Sequence, residues 1–219
     1  NISQETGVSI EILVAIIGVE TYFGRFTGGY RVIDALSTLA FDYPKRSAFF
    51  TKELEAYLLL TREENMNPFD ATGSYAGAMG SPQFMPSSYR AYAVDSDGDD
   101  KRDIWTNWTD VIGSVANYFV EHGWQQGNEI IVPAKINQLA SKPKIKDGLK
   151  ATETVEILKE KGIIFDTVMN DNHPSEVLFL EQEGANNYWV AFHNFFVITR
   201  YNHSTMYALA VHQLGQEIV

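Results

Sequence analysis

Glu20 is a carboxylate on an apolar helix face. Ile12, Leu13, Ile16 and Ile17 recur at helical spacing, and Glu20 falls on the stripe that they form. A carboxylate on such a face loses hydration, which disfavours its charged form and raises its pKa. An acid that keeps its proton near neutral pH can protonate a glycosidic oxygen as it leaves. The same side chain can instead be structural, paired with Arg25 or Arg31 at the edge of the stripe.

A second chemical segment is the Gly-rich stretch from Gly73 to Tyr89. It is not a phosphate loop, because no Gly-Lys-Ser/Thr follows and no strand leads in. Its glycines permit tight turns and close backbone approach to a ligand. Gln83 brings both a donor and an acceptor, which suits amide or hydroxyl partners. The bland reading is a packed turn between helices. A third segment is acidic: Asp95, Asp97, Asp99 and Asp103 stand at positions 1, 3, 5 and 9 of a loop, with the Lys101 carbonyl at position 7. That is the ligand spacing of an EF-hand loop, suited to Ca²⁺. It departs in having Gly98 at position 4 and Thr106 at position 12. The bland reading is a solvated acidic turn.

These residues sit in a chain of 219 residues with no cysteine and 17 basic against 28 acidic residues, a net charge of −11. Disulfides, zinc thiolates and a cysteine nucleophile are excluded. The charge argues against nucleic acid, which asks for a basic face. The longest apolar run, Ile12 to Val19, is too short to span a membrane. The chain opens at Asn1, without Met and close to a helix, and reads as a trimmed part of a longer protein.

The elements that must position the chemistry are mostly helical up to about Gln126. Ser9 is the expected N-cap of the Glu20 helix and Gly24 its stop. Further helices are expected over Asp34–Ala40, Lys45–Asn65 (with Leu54, Leu58 and Thr61 on one side) and Val111–His122. After about Asn128 the texture turns to short strands at 130–134, 177–180 and 188–192, with a short helix at 152–161. Helical texture returns from about Asn194 to Leu214. The expected fold class is α+β, mainly α. A helical core of residues 1–126 and 193–219 is interrupted by a small β-containing segment, 127–192.

Three stretches carry a resemblance. Val19 to Arg25 (VETYFGR), Gly77 to Tyr89 (GAMGSPQFMPSSY) and Ile198 to Ser204 (ITRYNHS) closely resemble the lytic murein transglycosylase B family, in order and with compatible spacing over almost the whole chain. The resemblance implies a lysozyme-like core and non-hydrolytic cleavage of the β-1,4 bond between N-acetylmuramic acid and N-acetylglucosamine in peptidoglycan. The product would be a 1,6-anhydromuramoyl end. Glu20 would be the single acid, then the base. Ser74 and Gln83 would bind sugar groups, and Tyr118 and Tyr201 would line the cleft. Lys45 and Arg46 would meet peptide-stem carboxylates. Phe196 stands where a tyrosine is common.

The family can also close its Ca²⁺ loop with a later aspartate, here Asp110, although this chain has one extra residue before it. No cofactor for catalysis is implied. The expected setting is the periplasm, with an N-terminal anchor region in the full-length protein and a monomeric enzyme. The alternatives are a hydrolytic muramidase, which needs a second carboxylate about 5–9 Å away, a non-catalytic peptidoglycan-binding module, and a plain Ca²⁺-binding helical module.

Overall fold

The computed structural model describes residues 1–137, 149–182 and 185–218. In chain order the elements are α1 (Ile2–Thr6), α2 (Ile10–Thr21), β1 (Tyr30–Arg31), α3 (Val32–Asp42), α4 (Ser47–Glu63), β2 (Thr72–Gly73), α5 (Pro86–Tyr92), α6 (Trp108–Glu121), β3 (Ile131–Ile136), β4 (Glu153–Thr154), α7 (Val155–Glu160), β5 (Ile163–Ile164), β6 (Pro174–Gln182), β7 (Ala185–Phe192), α8 (His193–Tyr201) and α9 (Thr205–Ile218). A 3-10 turn covers Pro44–Arg46. The fold is mainly α with a small sheet, as expected. No helix among the described residues is long and apolar enough to cross a membrane.

Two compact units result. One joins Asn1–Thr6 to Ile10–Glu121, and the other joins Gly7–Ser9 to His122–Val219. Helices α8 and α9 therefore group with the strands, whereas the sequence reading joined 193–219 to the first helices.

In the first unit, α2 buries Ile12, Leu13, Ala15, Ile16, Ile17 and Thr21. Helix α6 buries Val111, Val115, Ala116, Tyr118 and Phe119, with Asp110 fully enclosed at its first turn. Of the residues placed on one side of α4, Thr61 is buried and Leu58 is not. Phe50, Glu53, Ala56, Tyr57, Leu60 and Thr61 are buried, while Leu58 is exposed. The larger rings of Phe50 and Tyr57 win the interior, because they remove more apolar surface from water.

Helix α5 was not expected within the Gly-rich segment. Its signals are Pro86 at the first turn, where a missing N–H costs nothing, and a partner distant in sequence. The Glu53 carboxylate, only 5% exposed, accepts from the Ser87 N–H at 3.0 Å and from the Ser87 hydroxyl at 2.7 Å. A carboxylate from α4 thus caps α5 at the favourable end of its dipole.

In the second unit, five antiparallel strands take the order β4-β6-β7-β3-β5. Val177 pairs with Val190, and these two join Val155, Leu158, Ile163 and Phe192 in a buried cluster. The chain enters and leaves this sheet at one pinned point. Asn194, fully buried, accepts from the Gln125 N–H at 2.9 Å and donates to the Gln125 carbonyl at 2.8 Å. Stretches 138–148 and 183–184 of the expected β-containing segment lie outside the described residues.

Glu53→Ala should lower stability by about 2 kcal/mol, the range for losing hydrogen bonds to a buried charge. Urea unfolding checks this: a lower midpoint at unchanged slope is expected, and an unchanged midpoint would show that α5 does not depend on the cap.

Candidate active site

Glu20 stands one residue before the end of α2, half-buried, between exposed Val19 and fully buried Thr21. Beyond it the backbone turns sharply. Tyr22, Phe23 and Gly24 are consecutive residues in the left-handed region, with φ of 51°, 59° and 78°. For Tyr22 and Phe23 that conformation costs roughly 1–2 kcal/mol each, so surrounding contacts must over-determine it. The Phe23 N–H closes on the Ile17 carbonyl at 3.2 Å and the Phe26 N–H on the Thr21 carbonyl at 2.9 Å. The turn leaves the Tyr22 and Phe23 rings well exposed, and Arg25 lies over Tyr22 at 5.2 Å. Arg31 is paired with Asp34 at 2.7 Å. Arg31 and Asp34 thus form a surface ion pair with each other.

The Gly-rich segment folds as successive tight turns. Met79 and Phe84 exchange backbone hydrogen bonds at 2.8 and 3.0 Å. The Ser74 hydroxyl oxygen accepts from the N–H groups of Ala76 and Ala78 at 3.3 and 3.1 Å, which leaves its proton to donate. Gln83 adopts φ of 52°, and its Nε2 donates to the carbonyls of Thr27 at 3.1 Å and Gly80 at 2.9 Å. Its donor group is therefore committed to the protein, and its Oε1 can act only as an acceptor.

This segment is fastened to the loop that follows Glu20. The Thr21 hydroxyl lies 3.0 Å from the Ser81 carbonyl. Strand β1 pairs with β2 through Tyr30 and Gly73. A Cβ on Gly28 would strike the Gly73 carbonyl, and one on Gly24 would meet the Trp108 ring at 2.8 Å. The fold therefore brings Glu20, Ser74 and Gln83 into one interlocked region.

Tyr118 is 7% exposed, its ring packed among Phe84, Tyr92 and Phe119. Lys45 and Arg46 occupy the turn between α3 and α4, where the Arg46 guanidinium rests 4.4 Å from the Phe49 ring. Tyr201 closes α8 in the second unit, and Phe196 is buried on the same helix. A cavity of about 750 Å³ in that unit, lined by residues of β3 and α9 with Trp189, contains none of the predicted site residues.

The acidic loop brings carboxylate oxygens of Asp95, Asp97, Asp99 and Asp110 within 4.8 Å of one another. Asp110 thus joins the cluster despite the extra residue. Asp103 does not belong to the four. It instead accepts from the N–H groups of Trp105 and Thr106 at 2.8 and 3.0 Å and from the Thr106 hydroxyl, holding the turn into α6. Asp110 itself accepts from the N–H groups of Ser96 at 2.7 Å and Asp103 at 2.9 Å, closing the loop on α6. Burial acts to raise the Asp95 carboxyl, but N–H donors from Gly98, Asp100 and Asp99 hold it below the usual carboxylate range. Burial acts upward on Asp103 too, and the Thr106 hydroxyl and neighbouring amides hold it low.

The family model described as Transglycosylase SLT domain matches residues 1–216. The chain belongs to that family. Among SLT-domain relatives, the membrane-bound lytic murein transglycosylase B of Escherichia coli (strain K12) is 45% identical over 215 residues, 98% of this chain. The chain spans 58% of that relative's length. The soluble lytic transglycosylase SltB1 from Pseudomonas aeruginosa superposes with a TM-score of 0.94 at 51% identity, over 99% of this chain and 72% of that one. The E. coli lytic transglycosylase Slt35, solved in complex with calcium, superposes with a TM-score of 0.90 at 45% identity, over 99% of this chain and 68% of that one.

Sequence reasoning missed Thr21 and Trp108 as partners of the turn after Glu20. Thr21 reads as an ordinary small helix residue, and its second acceptor lies sixty residues away. No local pattern announces such a contact.

The carboxyls of Asp95 and Asp103 are both held below their unfolded values. Their stabilisation is therefore fully present above the unfolded range and is lost as pH falls through the folded values. Without divalent cations, Asp103→Asn should cost about 1 kcal/mol at neutral pH. The gap to the unaltered protein should close below about pH 4. Thermal unfolding across pH checks this, and a gap that stays constant into strong acid would contradict it.

Proposed function

We propose that this chain carries a peptidoglycan lytic transglycosylase, with Glu20 as its only catalytic carboxylate. The observation that supports it best is the interlock of the Glu20 turn with the segment bearing Ser74 and Gln83. Both parts lie in a chain 45% identical over nearly its whole length to lytic murein transglycosylase B.

In this reading Glu20 protonates the oxygen of the β-1,4 bond between N-acetylmuramic acid and N-acetylglucosamine as that bond breaks. The substrate's own N-acetyl group stabilises the cationic sugar carbon. Glu20, now a carboxylate, then takes the proton from the muramoyl C6 hydroxyl, and that oxygen closes the 1,6-anhydro ring. No water is consumed. Glu20 must begin the cycle in its neutral form. Ser74 donates its remaining proton to the sugar, and Gln83 Oε1 accepts from a sugar amide or hydroxyl. Tyr118 supports the wall through Phe84. Tyr201, at the end of α8, is assigned a substrate-contacting role. Lys45 and Arg46 meet peptide-stem carboxylates, with Arg46 steadied by Phe49. The setting is the periplasm.

Glu20→Gln should reduce release of soluble muropeptides from purified peptidoglycan by at least about a thousandfold, while folding is kept. Mass spectrometry of the products should show anhydromuramoyl ends. Reducing ends would identify a hydrolase instead, and brisk cleavage by Glu20→Gln would remove Glu20 from its role.

The acidic loop fits a structural Ca²⁺. Four carboxylates converge, one of them fully buried, and the loop amides are already folded around Asp95 and Asp110. Asp95, Asp97, Asp99 and Asp110 would hold the ion, with the Lys101 carbonyl, and Asp103 would support the turn beside it. The ion would neutralise the clustered charge and brace the start of α6. Calcium at roughly a hundredfold excess over its Kd should stabilise the protein by about 2–3 kcal/mol. Asp97→Asn should reduce that gain. A thermal midpoint indifferent to Ca²⁺ and chelator would reject the site.

A further inference from the structure

Thr21 is 1% exposed and stands directly after Glu20 at the end of α2. Its hydroxyl proton lies between two acceptors, the Ile17 carbonyl at 3.1 Å and the Ser81 carbonyl at 3.0 Å. The same oxygen accepts from the Gly24 N–H at 3.0 Å, and the Thr21 carbonyl accepts from Phe26 at 2.9 Å. A helical threonine bonding back four residues is ordinary. This one also reaches a carbonyl in the Gly-rich segment and holds an amide beyond two left-handed residues. It binds three things at once: the last turn of α2, the strained turn of Tyr22, Phe23 and Gly24, and the Gly80–Gln83 turn.

We propose that Thr21 is a positioning residue of the cleavage reaction: its hydroxyl fixes the end of α2, and hence the Glu20 carboxyl, against the segment that presents Gln83. The inference rests on Glu20 being the catalytic acid. Without the hydroxyl, the left-handed turn loses the N–H acceptor that holds Gly24, and α2 loses its side-chain link to Ser81. The end of the helix can then shift by a fraction of an ångström. A displacement of about 1 Å at a reacting group costs on the order of a hundredfold in rate. Ground-state binding depends on Ser74 and Gln83, whose other ties, Ser74 with Ala76 and Ala78 and Gln83 with Thr27 and Gly80, remain in place. The loss should therefore fall on kcat and leave KM nearly unchanged.

The test compares the protein with Thr21→Val, which keeps shape but removes the hydroxyl, Thr21→Ser, which keeps the hydroxyl but removes the methyl, and Glu20→Gln. Rates of anhydromuropeptide release are taken per folded molecule, measured by near-ultraviolet circular dichroism, with Thr21→Ala standing in should valine not fold. Thr21→Val is expected to lose roughly 10- to 100-fold in kcat with KM within about twofold, and Thr21→Ser to keep kcat within about threefold. Equal kcat in Thr21→Val and the unaltered protein overturns the inference, as does a serine variant no better than valine. Should Glu20→Gln cleave normally, the assignment of Glu20 fails first, and that failure is separate from any behaviour of Thr21.

Discussion

Close backbone approach between the end of α2 and the Gly-rich segment is the constraint on which the rest of this site depends. Gly28 meets the Gly73 carbonyl with no room for a side chain, and β1 pairs with β2 across the same contact. The Thr21 hydroxyl and the Gln83 amide add hydrogen bonds from the two sides. Such an approach is open only to glycine at the crossing, and it requires the left-handed turn after Glu20. The strain of that turn is offset by burial of the α2 face, which anchors the helix from Ile12 to Thr21.

Outer supports hold the same region. Glu53 reaches from α4 to cap α5, and so fixes the exit of the Gly-rich segment. Asp110, buried at the start of α6, gathers the amides of Ser96 and Asp103. Helix α6 then carries Tyr118 onto Phe84 and Trp108 toward Gly24. Two buried carboxylates thus act as structural acceptors, each satisfied by backbone N–H groups. Glu20 differs from both in standing at a half-buried helix end.

Much of this was legible in the sequence, for stated physical reasons. The period of Ile12, Leu13, Ile16 and Ile17 gave helix α2. Glu20 reads onto that stripe, whereas the structure leaves it half-buried at the helix end. Alternation and β-branching located the strands around Val177 and Val190. The spacing of Asp95, Asp97 and Asp99 foretold their convergence. What escaped depends on partners distant in sequence. Helix α5 needs Glu53, thirty-four residues earlier. The inward face of α4 carries Phe50 and Tyr57 beside Leu60, while Leu58 is left exposed. Asp103 has the right spacing for a metal ligand, yet the Thr106 hydroxyl and nearby amides claim it for the turn into α6. Gln83 was read as a free donor and acceptor, but half of that capacity is spent on Thr27 and Gly80.

The central claim is that one carboxyl, Glu20, serves the glycosidic bond. A crystal structure of the Glu20→Gln variant with an uncleaved peptidoglycan fragment tests it most directly. The account predicts the side-chain amide of residue 20 within hydrogen-bond distance of the β-1,4 glycosidic oxygen, with Ser74 and Gln83 on the flanking sugars. A fragment bound with a different carboxylate at that oxygen, and residue 20 turned away from it, would contradict the account.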